Sequence, residues 1–216
     1  FDEDELRKRI ATSRDTSVDD RDLAQRYDLN DTSSWRLEGA REALQDHEGW
    51  EECFVQYLHR PFDIRSIYYS DAWIDRPRTT VFKHMLTKNL ALLTMRQVVG
   101  DSFRHVFASN TLNDMNVLTS HHVSQVTFPL YLYNNTAQER KKRGGSSGAF
   151  TLSLFEGQEA YQTRHPNLSQ AFLAAVKDKL DLSFVPEGRG DLEENFGPED
   201  IFHYAYAIFH APTYRE

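Results

Sequence analysis

Between positions 60 and 97, Arg60, Arg65, Arg76, Arg78, Lys83, Lys88 and Arg96 are interleaved with Tyr68, Tyr69, Trp73 and His84. Surfaces that hold nucleic acid use this mixture, cations to neutralise phosphates and flat amphipathic rings beside them. Arginine is the telling member, because its fork can meet guanine O6 and N7 with two hydrogen bonds, as the amide of Asn or Gln can meet adenine. Asn89, Gln97, Asn110, Asn113 and Asn116 supply that second type at or near the ends of expected strands. The same arginines also suit structural roles: Arg60 before Asp63 and Arg76 after Asp75 can form ion pairs that hold turns. Tyr68, Tyr69, Tyr131 and Tyr133 fit a sheet core better than a stacking platform. A further basic run, Arg140-Lys141-Lys142-Arg143, leads into Gly144-Gly145-Ser146-Ser147-Gly148, which reads as a mobile loop where Lys141 and Lys142 either touch phosphate or stay solvated.

Other chemistries find little footing. No Gly-rich loop follows a strand, no Gly-x-Ser-x-Gly occurs, and no Cys or His pair has metal-binding spacing, so neither a catalytic residue nor a metal ligand is expected. His121 and His122 are adjacent, and on a strand they point to opposite faces. His203 and His210 lie seven apart on one helical face, next to Tyr204 and Phe209, and suit packed or rim positions. Asp63, Asp71 and Asp75 resemble a nuclease cluster only superficially, since no Lys partner sits at close spacing. Turn and salt-bridge roles suit them better.

The formal net charge of −8 is unevenly spread. Residues 1–53 carry 8 basic against 16 acidic side chains, residues 54–150 carry 12 against 6, and residues 151–216 carry 5 against 11. An acidic chain therefore owns a basic middle, and the field that captures a polyanion is set by the nearest charges. With 216 residues and 39% hydrophobic content the chain can bury a real core. No apolar run approaches the roughly 20 residues of a membrane span, so no membrane partner is expected and the location reads as cytoplasmic. Cys53 is the only cysteine and sits in Cys53-Phe54-Val55, where a small buried hydrophobe is expected. The start at Phe1 and the stop at Glu216 in mid-pattern read as a piece of a longer polypeptide.

These side chains need elements to position them. Asp19 to Tyr27 reads as a helix with acidic residues at its positive end, and Asp31-Thr32-Ser33-Ser34 offers caps to a second helix in which Leu37, Ala40 and Leu44 share an apolar side. Arg41, spaced for Glu38 and Gln45, is expected on the solvated side. From Cys53 the period changes, predicting strands near 53–58, 65–70, 90–97, 104–109 and 126–133. A helix following Pro77 and closed by Asn89 is expected between them, with Val81, Met85 and Leu86 on one side. Leu168, Phe172, Leu173, Val176 and Leu180 mark one late helix, and Ile201, Tyr204, Ala205, Ile208 and Phe209 mark another that Pro212 ends. The class expected is α+β: a twisted, mostly antiparallel sheet core with an N-terminal helical spacer and C-terminal helices.

Several separated strings, in order, resemble a known family. They are Arg60-Pro61-Phe62-Asp63-Ile64-Arg65-Ser66-Ile67-Tyr68-Tyr69, Arg76-Pro77-Arg78, Lys83-His84-Met85, Asn89-Leu90, Arg96-Gln97, His105-Val106-Phe107, Phe128-Pro129-Leu130-Tyr131-Leu132-Tyr133, Pro198-Glu199-Asp200-Ile201-Phe202-His203-Tyr204-Ala205-Tyr206-Ala207 and His210-Ala211-Pro212-Thr213-Tyr214-Arg215. Together they resemble the C-terminal specificity region of type ISP restriction-modification enzymes and related large adenine-specific DNA methyltransferases. The resemblance covers nearly the whole chain, and Leu29-Asn30-Asp31-Thr32 with Trp35 is similar to the helical spacer before the target recognition domain.

The resemblance implies a spacer at 1–52, a β-rich recognition core with a basic surface at 53–150, and a C-terminal helical part of the same domain at 151–216. It implies duplex DNA and the methyltransferase domain of the same parent chain as partners. S-adenosylmethionine, ATP and a divalent metal would belong to the parent, since this chain has no Asn-Pro-Pro-Tyr motif, no Walker A loop and no nuclease signature. The expected role is sequence-specific recognition of duplex DNA, with chemistry done elsewhere. The alternatives are an interdomain spacer or protein-interaction module without base readout, and a free-standing enzyme, for which no active site is found.

Overall fold

The computed structural model describes residues 2–98, 103–120, 123–134 and 163–215. They divide into two compact units, the first drawn from 2–57 and 64–82, the second from 58–63 and 83 onward.

In the first unit three helices precede a hairpin: α1 (Glu3–Arg14), α2 (Asp20–Tyr27) and α3 (Leu37–Gln45). Glu3, Asp4 and Glu5 occupy the first turn of α1 and Arg14 its last, which suits the helix dipole. Glu3–Arg7 and Glu5–Arg9 pairs brace it at i,i+4. Asp19 caps α2 by accepting from the Arg21 N–H at 2.7 Å, and the Asp31 carboxylate receives the Leu37 N–H at the start of α3. A 3₁₀ turn (Trp50–Cys53) leads to β1 (Phe54–Arg60) and β2 (Asp63–Tyr68), whose turn end, residues 58–63, belongs to the second unit. Ile10, Leu44, Cys53 and Tyr68 form the core, with Leu6, Trp50, Phe54 and Trp73 packed on it. Cys53 is fully buried, as expected of a small hydrophobe, and burial pushes its thiol up to about 11.

Arg41 departs from expectation. Only 7% exposed, it sends its guanidinium to the carbonyls of Ser13, Asp15 and Val18 and to the Asp20 carboxylate. Those acceptors lie in the connection from α1 to α2, so a tertiary demand for donors overrides the helical i,i+3 and i,i+4 spacings that suggested a solvated face. Arg14 acts similarly on the carbonyls of Leu44 and His47 while its guanidinium lies 5.2 Å from the Trp50 ring centre.

The expected long helix after Pro77 is a single turn, α4 (Thr79–Phe82). Arg76 and Arg78 take left-handed φ of 57° and 52°, which helical backbone does not allow, and the Tyr69 hydroxyl donates to the Pro77 carbonyl at 2.7 Å. Beyond Phe82 the chain turns, and His84 and Met85 are buried.

In the second unit β3 (Ala91–Thr94) is the central strand between β4 (Val106–Ser109) and β8 (Val126–Pro129), antiparallel to both, with Leu93 opposite Phe107 and Thr127. Short strands β5 (Leu112–Asn113), β6 (Thr119–Ser120) and β7 (Val123–Ser124) fill the connection. Asp114 donates its N–H to the Leu58 carbonyl at 2.9 Å, anchoring the far end of the β1–β2 hairpin. Strand β9 (Tyr131–Tyr133) pairs antiparallel with β10 (Arg164–Pro166). Helix α5 (Gln170–Leu180) is capped by the Ser169 hydroxyl. Strands β11 (Ser183–Phe184) and β12 (Asn195–Phe196) pair in parallel.

Helix α6 (Pro198–His210) begins with Pro at its first position and an Asp200 carboxylate that receives the Gly197 N–H at 2.9 Å. Gly197 cannot be replaced cheaply, because a Cβ there would sit 2.3 Å from the Gly188 carbonyl oxygen. A last turn, α7 (Pro212–Arg215), follows. Phe202 of α6 packs with Leu130 and Tyr131, flanked by Leu90, Leu92 and Ala108. The class is α+β, and among the described residues the strands form several small, mainly antiparallel sheets, none closed into a barrel.

Candidate nucleic-acid interface

Three candidate arginines belong to the first unit. Arg65 is exposed on β2, and Arg76 and Arg78 are exposed around Pro77. Asp75 accepts from the hydroxyls of Thr32 and Ser34, at 3.2 and 2.7 Å, and Arg76 Nε lies 4.0 Å from Asp75 and 3.3 Å from Ser34 Oγ. The Asp75–Arg76 ion pair expected from the sequence is therefore present, while the Asp75 hydrogen bonds reach back to Thr32 and Ser34 rather than closing a local turn. Trp35 donates its indole N–H to the Ala72 carbonyl at 3.1 Å and meets Trp73 edge-on. Ser34, Trp35, Arg36, Asp71, Arg76 and Pro77 line a cleft of about 440 Å³. Asp71 is half-buried there, and loss of solvent raises its carboxyl to about 6.

The remaining described candidates lie in the second unit. Arg60 keeps 47% of its side chain exposed beside Asp114 at 3.6 Å, which His59 also approaches at 3.5 Å. Lys83 is partly buried, whereas Lys88, Arg96, Gln97 and Asn110 are exposed. Arg96 and Gln97 follow β3 after the buried Met95, and Asn110 sits in the tight turn from β4 to β5. Lys141 and Lys142, like the whole Gly/Ser run and the His121-His122 pair, lie outside the described residues.

Two expected base readers are instead structural. Asn89 is 5% exposed; its amide donates to the carbonyls of His84 and Tyr131, both at 2.8 Å, and its oxygen accepts from the N–H groups of Leu90 at 2.8 Å and Tyr131 at 3.1 Å. Every group is used, which leaves none for a base edge. Asn113 is equally buried, donating to the Asp114 carbonyl and accepting from the Thr127 hydroxyl, both at 3.0 Å. Chain turns that bury polar backbone need such amides, and sequence type alone does not separate them from exposed ones.

Arg164 carries no signal in the sequence pattern, and only long-range contacts reveal its place. Its guanidinium lies 3.8 Å from the Tyr131 ring centre, pairs with Glu187, and donates to the Lys88 carbonyl at 2.7 Å. Tyr68, Tyr69 and Tyr131 are buried, as expected for core rather than stacking surface.

His84 supports the same region and makes it acid-sensitive. Its Nδ1 accepts the Tyr133 N–H at 3.0 Å, so the ring is neutral with its proton on Nε2. Burial, with the nearby Lys83 and His165 charges, lowers its pKa to about 4 from 6.5. The unfolded chain therefore binds the proton first, and stability falls as pH drops from about 6.5 through 4, by roughly 2–3 kcal/mol. Urea unfolding across that range should show the loss, and His84→Gln should remove most of it, the remainder coming from His47, whose pKa burial also lowers. Asp71 titrates with the opposite sign, so both proteins should carry Asp71→Asn.

Among the described residues no group of three His, Cys, Asp or Glu could hold a metal, and no helix is long and apolar enough to cross a membrane.

A family model described as the Type ISP C-terminal specificity domain matches residues 1–216. Among solved structures, the DrdV–DNA complex determined by cryo-electron microscopy superposes with a TM-score of 0.57 at 20% identity, covering 98% of this chain and 17% of that one. The ATP-dependent Type ISP restriction-modification enzyme LlaBIII bound to DNA gives 0.53 at 20% identity, covering 99% of this chain and 12% of that one. Both likenesses concern the fold, and the chain spans less than a fifth of either structure. No curated protein matches.

Proposed function

Because the chain belongs to the Type ISP C-terminal specificity domain family, we propose that it is the target recognition module of a larger restriction-modification enzyme or adenine-specific DNA methyltransferase, and that it binds duplex DNA sequence-specifically. The match over residues 1–216 carries this reading. Arg65, Arg76, Arg78, Lys88 and Arg96, all exposed, support it. Lysines and arginines set the register on the phosphates, and Gln97, Asn110 or an arginine reads base edges. In this reading residues 1–52 are the spacer, 53–150 the recognition core and 151–216 its helical completion. The methyltransferase of the same chain modifies an extruded adenine using S-adenosylmethionine, with ATP and a divalent metal serving other parts of a cytoplasmic parent.

A salt series tests it. Affinity for duplex DNA should fall steeply as salt rises, and Lys88→Ala and Arg96→Ala should each lower the log–log slope by about one unit, with unfolding midpoints unchanged. Binding that ignores salt would remove the reading. Tyr204, 71% exposed, and Ile208, one turn later on α6, favour a second role in docking a neighbouring domain. Tyr204→Ala should then weaken association with the methyltransferase portion and leave the salt slope alone.

A further inference from the structure

The tip of the β1–β2 hairpin carries an aromatic ring in a place that folding does not explain. Phe62 is 89% exposed and follows Pro61, yet its backbone holds φ at 65°. A bulky side chain rarely takes that conformation, which glycine or asparagine would adopt with less strain, and such strain tends to persist where a side chain is held for use. The ring is braced rather than covered: Phe107 meets it edge-on at 5.2 Å between centres. Below it, the Asp114 N–H bonds the Leu58 carbonyl at 2.9 Å, and the Asp114 carboxylate holds Arg60 and His59 at 3.6 and 3.5 Å. The tip is thus a projecting apolar plate on a fixed stem with a guanidinium at its base.

We propose that Phe62 is a wedge that enters the base stack of bound duplex DNA while Arg60 meets the adjacent phosphate; this rests on the target recognition reading above. Apolar side chains from architectural DNA-binding proteins unstack a base step in this way, and the opened step is one the protein can select by deformability without a hydrogen bond to it. A protein-docking face is the less apt occupant. Such faces are contiguous apolar patches of several hundred square ångströms, whereas the exposed apolar side chains at this tip are Pro61, Phe62 and Ile64, flanked by the exposed Arg60 and Arg65.

The test begins by selecting, from a randomised duplex library at low salt, the sequence that the chain retains. That site is then made with 2-aminopurine at each position in turn, because the base brightens when unstacked. Wild type should brighten one or two adjacent positions several-fold. Phe62→Gly should abolish the brightening and weaken binding roughly tenfold, since an inserted plate contributes both, while its unfolding midpoint holds or rises because glycine takes a positive φ freely. Phe62→Trp should keep at least half of the signal. A selected site with no bright position, or brightness that survives in Phe62→Gly, overturns the wedge and leaves recognition standing. A lowered midpoint in Phe62→Gly with binding and brightness intact makes the ring a structural brace on Phe107, and a lost association with the methyltransferase portion under the same conditions makes it a protein contact; either overturns the wedge. A chain that retains no duplex overturns both readings.

Discussion

Arg41→Ala will cost the chain about 3–5 kcal/mol of unfolding free energy, measured by urea denaturation. Four acceptors converge on this one buried guanidinium, three of them backbone carbonyls at Ser13, Asp15 and Val18 and the fourth the half-exposed Asp20 carboxylate. Alanine leaves the carbonyls without donors inside the helical layer and opens a cavity beneath α3. Lysine should restore only a small part, because a single ammonium cannot span acceptors that a planar fork reaches from three nitrogens. Arg36→Ala, which removes an exposed ion pair with Asp31 at 3.2 Å, should stay within about 0.5 kcal/mol. An Arg41→Ala loss below 1 kcal/mol would show that water reaches those carbonyls.

Asn89→Ala should cost about 3–4 kcal/mol, since it strands two backbone N–H groups and two carbonyls at once. The damage has an address. Amide exchange should accelerate most at Leu90 and Tyr131, whose N–H groups the Asn89 oxygen holds at 2.8 and 3.1 Å. Asn89→Asp should be at least as harmful, because a carboxylate cannot donate to the His84 and Tyr131 carbonyls now 2.8 Å from the amide. If Asn89→Ala instead unfolded normally and lost DNA affinity, the residue would be a base reader after all.

The helices show how far local pattern reaches. Leu37, Ala40 and Leu44 are all buried on α3, and the last helices run at Gln170–Leu180 and Pro198–His210 where their periodicity places them. Pattern succeeds there because an amphipathic stripe and a cap act within one or two turns. It fails at residues 77–89, where an apolar i,i+4 spacing is present but left-handed Arg76 and Arg78 delay the start to Thr79 and the helix ends after one turn at Phe82. The short strands β5, β6, β7, β10, β11 and β12 lie outside the strands the pattern predicts, since two or three residues carry no measurable alternation.

Within the candidate site, residue type predicted exposure well for cations and poorly for amides. Arg65, Arg76, Arg78, Lys88 and Arg96 are at the surface because burying an unpaired charge is costly, a cost present in any fold. An asparagine is at home either in water or in a cage of backbone groups, so Asn110 could stay exposed while Asn89 and Asn113 were drawn inside.

By itself, then, the chain's residue order determined its α+β class, the placing of α2, α3, α5 and α6, the buried state of Cys53 and the surface position of most of its central cations. All of these follow from forces felt within a few residues or from the solvation of a single side chain. Which arginine would be swallowed by the helical layer, which amide would stitch His84 to Tyr131, and which phenylalanine would stand out at a hairpin tip were decided only in three dimensions. Their partners lie 20 to 45 positions away along the chain, as Arg41 to Asp20, Asn89 to Tyr131 and Phe62 to Phe107 show. A donor, an acceptor or a bracing ring at that distance in sequence becomes a neighbour only when the backbone between has folded.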